Sequence, residues 1–243
     1  MQNDIQKFEA QRKKEIGAMR RDVALKRLGI KFLIESSRRG YSYHFDWMGL
    51  PIIQFPQDVL AMQEIVWRVK PEVIIETGIA RGGSLIFYAS LLEILGRGRV
   101  VGVDIDIRKY NKRRILAHSL AKRITMIEGS SVDPSVMEEV SKIAKGRRTL
   151  VCLDSNHTEA HVAKELELYA PLVSRGSYLV AFDTDIEYLP KDLVANRPWK
   201  KGNNPMTAVN KFLKKHKEFE VDQEIDSKLL ITVAPSGYLK RIK

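Results

Sequence analysis

A carboxylate and three glycines follow one run of β-branched residues. The run, Val73-Ile74-Ile75, is typical of a strand buried on both faces, and the apolar stretch after the glycines predicts a helix. Glycines in such a turn allow a positive φ and let ligand atoms approach the backbone. Glu76, Gly78, Gly82 and Gly83 give the spacing E-x-G-x-x-x-G-G instead of the G-x-G-x-x-G of dinucleotide sites. Because an anion at Glu76 would repel phosphates, the turn predicts a cationic or hydroxyl-bearing cofactor; a turn that binds no ligand is the alternative.

Two aspartates, Asp154 and Asp183, each end a predicted strand in the later part of the chain. If these strands are neighbours, about 4.8 Å apart, both carboxylates point at one place, and such oxygens together with water suit a divalent cation such as Mg²⁺. A bound cation lowers the pKa of a substrate hydroxyl, and His157, three residues after Asp154, is placed to accept the proton. The alternative is that the two acids cap the following helices without a metal.

The other strand ends supply candidate cofactor contacts, because ligands of doubly wound sheets lie outside the carboxyl ends of the strands. Asp104 ends the second predicted strand, where an acid usually accepts hydrogen bonds from ribose hydroxyls. The third strand is followed by two serines, where the base of the cofactor would lie. His161, one helical turn from His157, is either a supporting residue or a solvated one. The predicted cofactor-binding residues are Glu76, Gly78, Arg81, Gly82, Ser84, Asp104, Ser130 and Ser131.

Strands and helices that alternate along the chain position these residues. This alternation predicts an α/β fold with a Rossmann-like, doubly wound sheet of seven strands, in which five parallel strands are followed by a C-terminal antiparallel hairpin. A hairpin is expected at the end because only a polar turn separates the last two apolar runs. The predicted strands are 73–75, 99–104, 124–128, 149–154, 178–183, 219–221 and 229–233, and the predicted helices are 56–69, 85–95, 111–118, 134–144, 159–169 and 205–216.

The segment before this domain is basic and has a loose helical pattern over residues 1–28. We therefore predict a basic helical extension over 1–40 and a sheet domain over 41–243, which begins with an irregular segment at 41–55. The extension could cover the sheet, mediate assembly into a homo-oligomer or remain partly mobile.

The net charge of +11 is concentrated in two segments, with +6 over residues 1–40 and +7 over residues 191–217. Such flanks fit an anionic substrate, a nucleic acid, a membrane surface or a partner protein, and solubility alone would also explain them. The chain has no apolar run long enough for a membrane span and no apolar core of a secretory signal near Met1. With a single cysteine, Cys152, it can form no internal disulfide. A cytoplasmic protein is expected.

The motif order and spacing resemble those of the cephalosporin hydroxylase / rhamnosyl O-methyltransferase family over roughly residues 40–243, and the glycine pattern resembles the first motif of S-adenosylmethionine-dependent methyltransferases. The resemblance implies a methyltransferase-type fold that binds S-adenosylmethionine, with a divalent metal at the fourth and fifth strand ends. Catechol-type O-methyltransferases are similar in having an Asp on each of those strands and a base three residues after the first. The motifs are Trp47-Met48-Gly49-Leu50-Pro51, Gln54-Phe55-Pro56-Gln57-Asp58, Ile75-Glu76-Thr77-Gly78-Ile79-Ala80-Arg81-Gly82-Gly83-Ser84, Asp104-Ile105-Asp106, Leu153-Asp154-Ser155-Asn156-His157 and Phe182-Asp183-Thr184.

One position departs from the family pattern. Some members have a Glu-Asp pair at the fifth strand end, where this chain has Phe182-Asp183. The departure removes one metal ligand and leaves Thr184, Asp185 or water to complete the shell.

The chain is therefore predicted to be an S-adenosylmethionine-dependent, divalent-metal-assisted O-methyltransferase acting on a hydroxyl of a sugar or another polar small molecule. Asp154 and His157 are the predicted catalytic residues, and Asp154, Asp183 and Thr184 the predicted metal ligands. The loop 187–204, with Arg197, Trp199, Lys200 and Lys201, is either a lid that holds a sugar face and an anionic group or a loop without a role.

Two other functions remain open on the sequence. The basic flanks favour a nucleic-acid methyltransferase, but the fourth strand end lacks the Asn-Pro-Pro-aromatic sequence of many base methylases, and no RNA-binding module is attached. A cofactor- or carbohydrate-binding protein without catalytic activity is the second alternative.

Overall fold

The computed structural model describes residues 3–243. Within this range the strands are β1 (Phe45–Trp47), β2 (Leu50–Ile52), β3 (Val73–Thr77), β4 (Arg99–Asp104), β5 (Ile124–Glu128), β6 (Thr149–Leu153), β7 (Tyr178–Ala181), β8 (Phe219–Val221) and β9 (Tyr238–Arg241). The α-helices are α1 (Asp4–Arg21), α2 (Val23–Ser37), α3 (Pro56–Val69), α4 (Gly83–Ile94), α5 (Lys109–Ala117), α6 (Pro134–Ala144), α7 (Glu159–Tyr169), α8 (Pro205–Lys215) and α9 (Gln223–Leu229).

Seven strands form one sheet in the order β5-β4-β3-β6-β7-β9-β8. Strands β3 to β7 are parallel, and β9 runs antiparallel to both of its neighbours. Alternate residues of β3 enter different cores, because Ile74 packs with α3 and α4 whereas Val73 and Ile75 pack with α6 and α7. The predicted doubly wound α/β class is confirmed.

The predicted strand over 229–233 is wrong. The carboxylate of Asp222 accepts hydrogen bonds from the backbone N–H groups of Glu224 and Ile225 (3.0 and 3.2 Å), and this cap starts α9. After α9, the buried carboxylate of Asp58 accepts hydrogen bonds from the Thr232 hydroxyl and from the backbone N–H of Val233 (2.9 Å), so this N–H group is not free to pair with a strand. The last strand therefore forms later, at Tyr238–Arg241.

The segment 41–55, predicted to be irregular, contains the antiparallel hairpin of β1 and β2. Its turn consists of Met48 and Gly49, which have φ values of 46° and 88°. Positive φ at both turn residues suits the right-handed twist of a two-residue hairpin.

The N-terminal segment is helical, as predicted, but consists of two helices that meet at Asp22. The Asp22 carboxylate accepts a hydrogen bond from the N–H of Leu25 (2.9 Å) and so starts α2. Helix α1 has no buried residue, whereas Gly29 of α2 packs so closely on Leu230 that a Cβ would lie 2.3 Å from its carbonyl oxygen. A domain boundary at residue 40 stays a prediction. Among the helices described for 3–243, none combines the length and apolar character needed to cross a membrane.

Candidate active site

A cavity of about 490 Å³ lies at the carboxyl ends of the parallel strands. Its size is that of small-molecule sites, which span roughly 300–1,000 Å³. The predicted site residues that line it are Gly78, Arg81, Gly82, Ser84, Asp104, Ser130, Ser131, Asp154, His157 and Asp183. The fold thus brings together residues from five strand ends, as the sequence predicts.

Gly78, in the glycine turn, packs against the residue that follows β6. Its φ is +89°, and a Cβ added there would lie 2.0 Å from the carbonyl oxygen of Asp154. The Asp154 N–H in turn donates to the carbonyl oxygen of Thr77 (2.9 Å). Only glycine permits both this backbone conformation and this close approach.

Glu76 lies beneath the cavity wall and does not line it. Its carboxylate accepts a hydrogen bond from the Ser84 hydroxyl (2.7 Å), and Ser84 faces the cavity. Burial raises the pKa of Glu76 to about 8, although the Ser84 hydrogen bond opposes this shift. The raised pKa favours the protonated form of Glu76 near neutral pH, whereas the sequence analysis predicted an anion there, and Glu76 reaches the cavity only through Ser84.

Asp104 ties the end of β4 to the glycine turn. One carboxylate oxygen accepts hydrogen bonds from the N–H groups of Ile79 (2.8 Å) and Ala80 (3.3 Å), and the other accepts from Asp106 (3.1 Å). Because a carboxylate offers roughly four acceptor positions, capacity remains for a hydroxyl donor in the cavity.

Asp154, His157 and Asp183 form a cluster at the cavity, each offering a ligand atom within 4.8 Å of the others. His157 Nδ1 lies 3.1 Å from Asp183 Oδ2. Burial, together with the nearby Asp183, raises the pKa of Asp154 well above its ordinary value. The two carboxylates suit a divalent cation, and the imidazole lies directly beside them.

The structure does not bring Thr184 to this cluster. Thr184 is fully buried, and its hydroxyl donates to the carbonyl oxygen of Pro235 (2.7 Å). Asp185 is also buried, and its Oδ1 has no hydrogen-bond partner within the described range 3–243. The turn at Asp183, whose φ is +55°, directs these two side chains away from the cavity lining.

His161 belongs to a hydrogen-bonded group with Ser131 and Ser155. Its Nε2 lies 3.0 Å from the Ser131 hydroxyl and 3.3 Å from the Ser155 hydroxyl. Ser155 also donates to the fully buried Glu165 (2.7 Å). His161 also lines the cavity, and a supporting role for it stays a prediction.

Trp199 closes one side of the cavity, next to the cluster. Its ring centroid lies 4.8 Å from that of His157, with the planes at 88°, and the Arg197 guanidinium lies 5.4 Å from the Trp199 ring centroid. The segment is anchored by Asn203, whose side chain accepts from the Glu159 N–H and donates to the Pro198 carbonyl (3.0 Å each). Trp199 therefore lies in a segment of the cavity lining that the hydrogen bonds of Asn203 hold in place.

Sequence reasoning missed Gln54 as a site residue. Gln54 lines the cavity, and its Nε2 donates to Asp154 Oδ2 (3.3 Å). It follows the hairpin of β1 and β2, 100 residues before Asp154 in sequence, and no spacing rule links a glutamine there to a strand end. Tyr43 of the same segment lines the cavity as well.

A family model described as Rhamnosyl O-methyltransferase/CmcI matches residues 39–242. A "Rhamnosyl O-methyltransferase" of Mycobacterium tuberculosis (strain ATCC 25618 / H37Rv) is 29% identical over 202 residues, which cover 80% of this chain and 77% of that protein. The same-named protein of Mycobacterium leprae (strain TN) is 29% identical over 202 residues, with coverages of 80% and 82%.

The fold is also similar to that of a solved CmcI structure described with Mg and SAM. The TM-score is 0.60 at 19% identity, over 83% of this chain and 78% of that one. This likeness shows the class I methyltransferase fold, and the match over 39–242 confirms the resemblance drawn from the motifs.

Proposed function

The chain belongs to the Rhamnosyl O-methyltransferase/CmcI family, and from this membership we propose that it is an S-adenosylmethionine-dependent, divalent-metal-assisted O-methyltransferase acting on a sugar hydroxyl. The observation that carries the proposal is the cluster of Asp154, His157 and Asp183 at a cavity bordered by the glycine turn. A cytoplasmic location and assembly into an oligomer stay predictions.

The residues present fit a divalent cation. Asp154 and Asp183 bring two carboxylates together in a partly buried place, where their mutual repulsion is unfavourable unless a cation or a proton compensates it. Oxygen ligands of this kind suit Mg²⁺. We assign Asp154 and Asp183 as the ligands and leave the remaining positions to water and to the acceptor.

The residues of the glycine turn fit the cofactor. Gly78 and Gly82 expose backbone at the cavity, and Asp104 keeps an acceptor position for a ribose hydroxyl. Ser130 and Ser131 line the part of the cavity that we assign to the base. When bound, S-adenosylmethionine supplies the methyl group and Mg²⁺ lowers the pKa of the acceptor hydroxyl.

His157 accepts the proton of the acceptor hydroxyl. Its Nδ1 lies within hydrogen-bonding distance of Asp183 Oδ2 (3.1 Å), so that in the neutral ring Nδ1 carries the hydrogen and Nε2 is the free acceptor. Asp183 therefore sets the tautomer of His157 as well as serving the cation. Trp199 packs at a right angle to the imidazole and limits its rotation.

We propose that the acceptor is a saccharide that carries an anionic group. The family relatives named rhamnosyl O-methyltransferases support the saccharide. The anionic group is supported by Arg197 beside Trp199 and by the exposed Arg81 in the cavity lining. Neither arginine has an acidic partner among the ion pairs of residues 3–243.

Calorimetric titration with S-adenosylmethionine and with NAD, with and without Mg²⁺, tests the cofactor, and methyl transfer to rhamnosides tests the reaction. We expect binding of S-adenosylmethionine, and methyl transfer that requires Mg²⁺ and is lost in Asp154→Asn. Tight binding of NAD without a response to S-adenosylmethionine would overturn the proposal. Full activity of Asp154→Asn would overturn the metal assignment.

A further inference from the structure

Gln54 reaches the metal cluster from the hairpin segment, outside the parallel sheet. Its side chain is only 8% exposed, and Nε2 donates to Asp154 Oδ2 over 3.3 Å. Against an ionised Asp154, the form that binds a cation, a reversed amide would set Oε1 against a carboxylate oxygen, which is repulsive; the donating orientation is therefore the one that suits a metal-binding carboxylate.

The other end of the Gln54 amide is unsatisfied. Oε1 is buried and has no hydrogen-bond partner among residues 3–243. Gln54 also borders a small void of about 10 Å³, which polar residues (Asp58 and Ser84) line as well as apolar ones. A buried acceptor without a donor disfavours folding relative to an apolar side chain of the same size. Among residues 3–243, the hydrogen bond to Asp154 is the one that the Gln54 side chain makes.

We infer that Gln54 is a positioning residue, whose amide N–H holds the carboxylate of Asp154 in the orientation that binds the cation. The inference rests on the proposed function. A carboxylate with one oxygen held by a fixed donor has less rotational freedom, and hydrogen bonds of this kind to metal ligands typically change metal affinity about 10–100-fold.

The variant Gln54→Met removes the donor at nearly constant length, and Gln54→Asn keeps the amide but shortens its reach. We expect both to raise the Kd for Mg²⁺ about tenfold, measured by calorimetric titration of the full chain, and to leave the Kd of S-adenosylmethionine without Mg²⁺ unchanged. Saturating Mg²⁺ should restore kcat. If one of the two variants does not fold, which a non-cooperative unfolding transition would show, the other variant still tests the inference.

Gln57→Met is the matched control. The Oε1 of Gln57 is also buried without a partner, but Gln57 does not line the cavity. Its Mg²⁺ affinity should equal that of the wild type. Unchanged Mg²⁺ affinity in the Gln54 variants, or equal losses in Gln54→Met and Gln57→Met, would overturn the inference. If the wild type itself binds no Mg²⁺, the metal part of the proposed function fails first.

Discussion

His157 and Asp183 pair beside the cavity, with 3.1 Å between Nδ1 and Oδ2. Since this contact leaves Nε2 as the proton acceptor, we expect His157→Gln to lower kcat by roughly 10²–10⁴, the usual contribution of a general base. The Kd of S-adenosylmethionine should not change. Methyl-transfer rates and calorimetry measure the two quantities.

His161→Gln is the comparison for that experiment. His161 lines the same cavity but contacts the Ser131 and Ser155 hydroxyls and not Asp183. We expect this variant to weaken cofactor binding more than it lowers kcat. Equal losses of kcat in both variants would contradict the role assigned to His157.

Gly78→Ala should destabilise the protein more than another glycine substitution at positive φ. A non-glycine residue in this conformation costs about 1–3 kcal/mol, and at Gly78 the Cβ would also lie 2.0 Å from the Asp154 carbonyl oxygen. Gly146 has a φ of +70° but no atom within 4 Å of an added Cβ. Urea denaturation of Gly78→Ala and Gly146→Ala measures the difference, and equal free energies of unfolding would contradict the close packing.

Glu76 makes the stability of the unliganded protein depend on pH. Burial raises its pKa from 4.5 to about 8, so its contribution to stability is fully present below pH 4.5 and is lost as the pH rises through about 8. Glu76→Gln carries no such dependence. We expect the Tm of Glu76→Gln to rise relative to the wild type between about pH 5 and about pH 9.

The exposed Glu138 provides the control for this pH series, because it lies on the surface and pairs with Lys142 (2.6 Å). Glu138→Gln should not follow the trend expected for Glu76→Gln. A constant Tm difference between the wild type and Glu76→Gln across the series would show that the buried carboxyl does not titrate there.

Arg197→Gln should discriminate between acceptors. If Arg197 binds an anionic group beside Trp199, the variant should lose about tenfold in kcat/KM for a rhamnoside that carries a carboxylate, the value of one charged hydrogen bond. A neutral rhamnoside should be unaffected. Lys211→Gln, in the same basic segment but paired with Glu159 at the surface, should change neither value.

Salt dependence separates a saccharide acceptor from a nucleic acid. Contacts with several phosphates would lower affinity by about 10³–10⁵ between 50 and 200 mM salt. We expect kcat/KM for a neutral rhamnoside to be nearly insensitive over this range. Steep salt dependence together with activity on RNA or DNA would favour the nucleic-acid alternative.

The sequence was informative where backbone geometry restricts residue type. Gly78 and Gly82 have positive φ in close packing, and Asp154 and Asp183 follow buried strands whose order places them together. The same reasoning failed at residues 229–233, where the capping hydrogen bonds of Asp222 and the buried carboxylate of Asp58 outweigh β propensity. The Asp222 cap is local, but the contact with Asp58 joins residues 175 positions apart in sequence and cannot be derived from local pattern.

Side-chain roles depended on burial, which the sequence indicates only in part. Glu76 was expected to face the ligand as an anion, but it lies under Ser84 with a raised pKa. Thr184 was expected near the metal, but its hydroxyl donates a hydrogen bond to the carbonyl oxygen of Pro235. Gln54 reaches Asp154 through tertiary packing alone.

The packing of Gly78 on the carbonyl group of Asp154 has a consequence for protein engineering. The loop that would hold the sulfonium compound and the residue that would hold the ion share one rigid junction of main chain. A designer who transplants either half into another scaffold would have to carry this junction along, since a shift of the loop by the width of one methyl group would displace the ion as well.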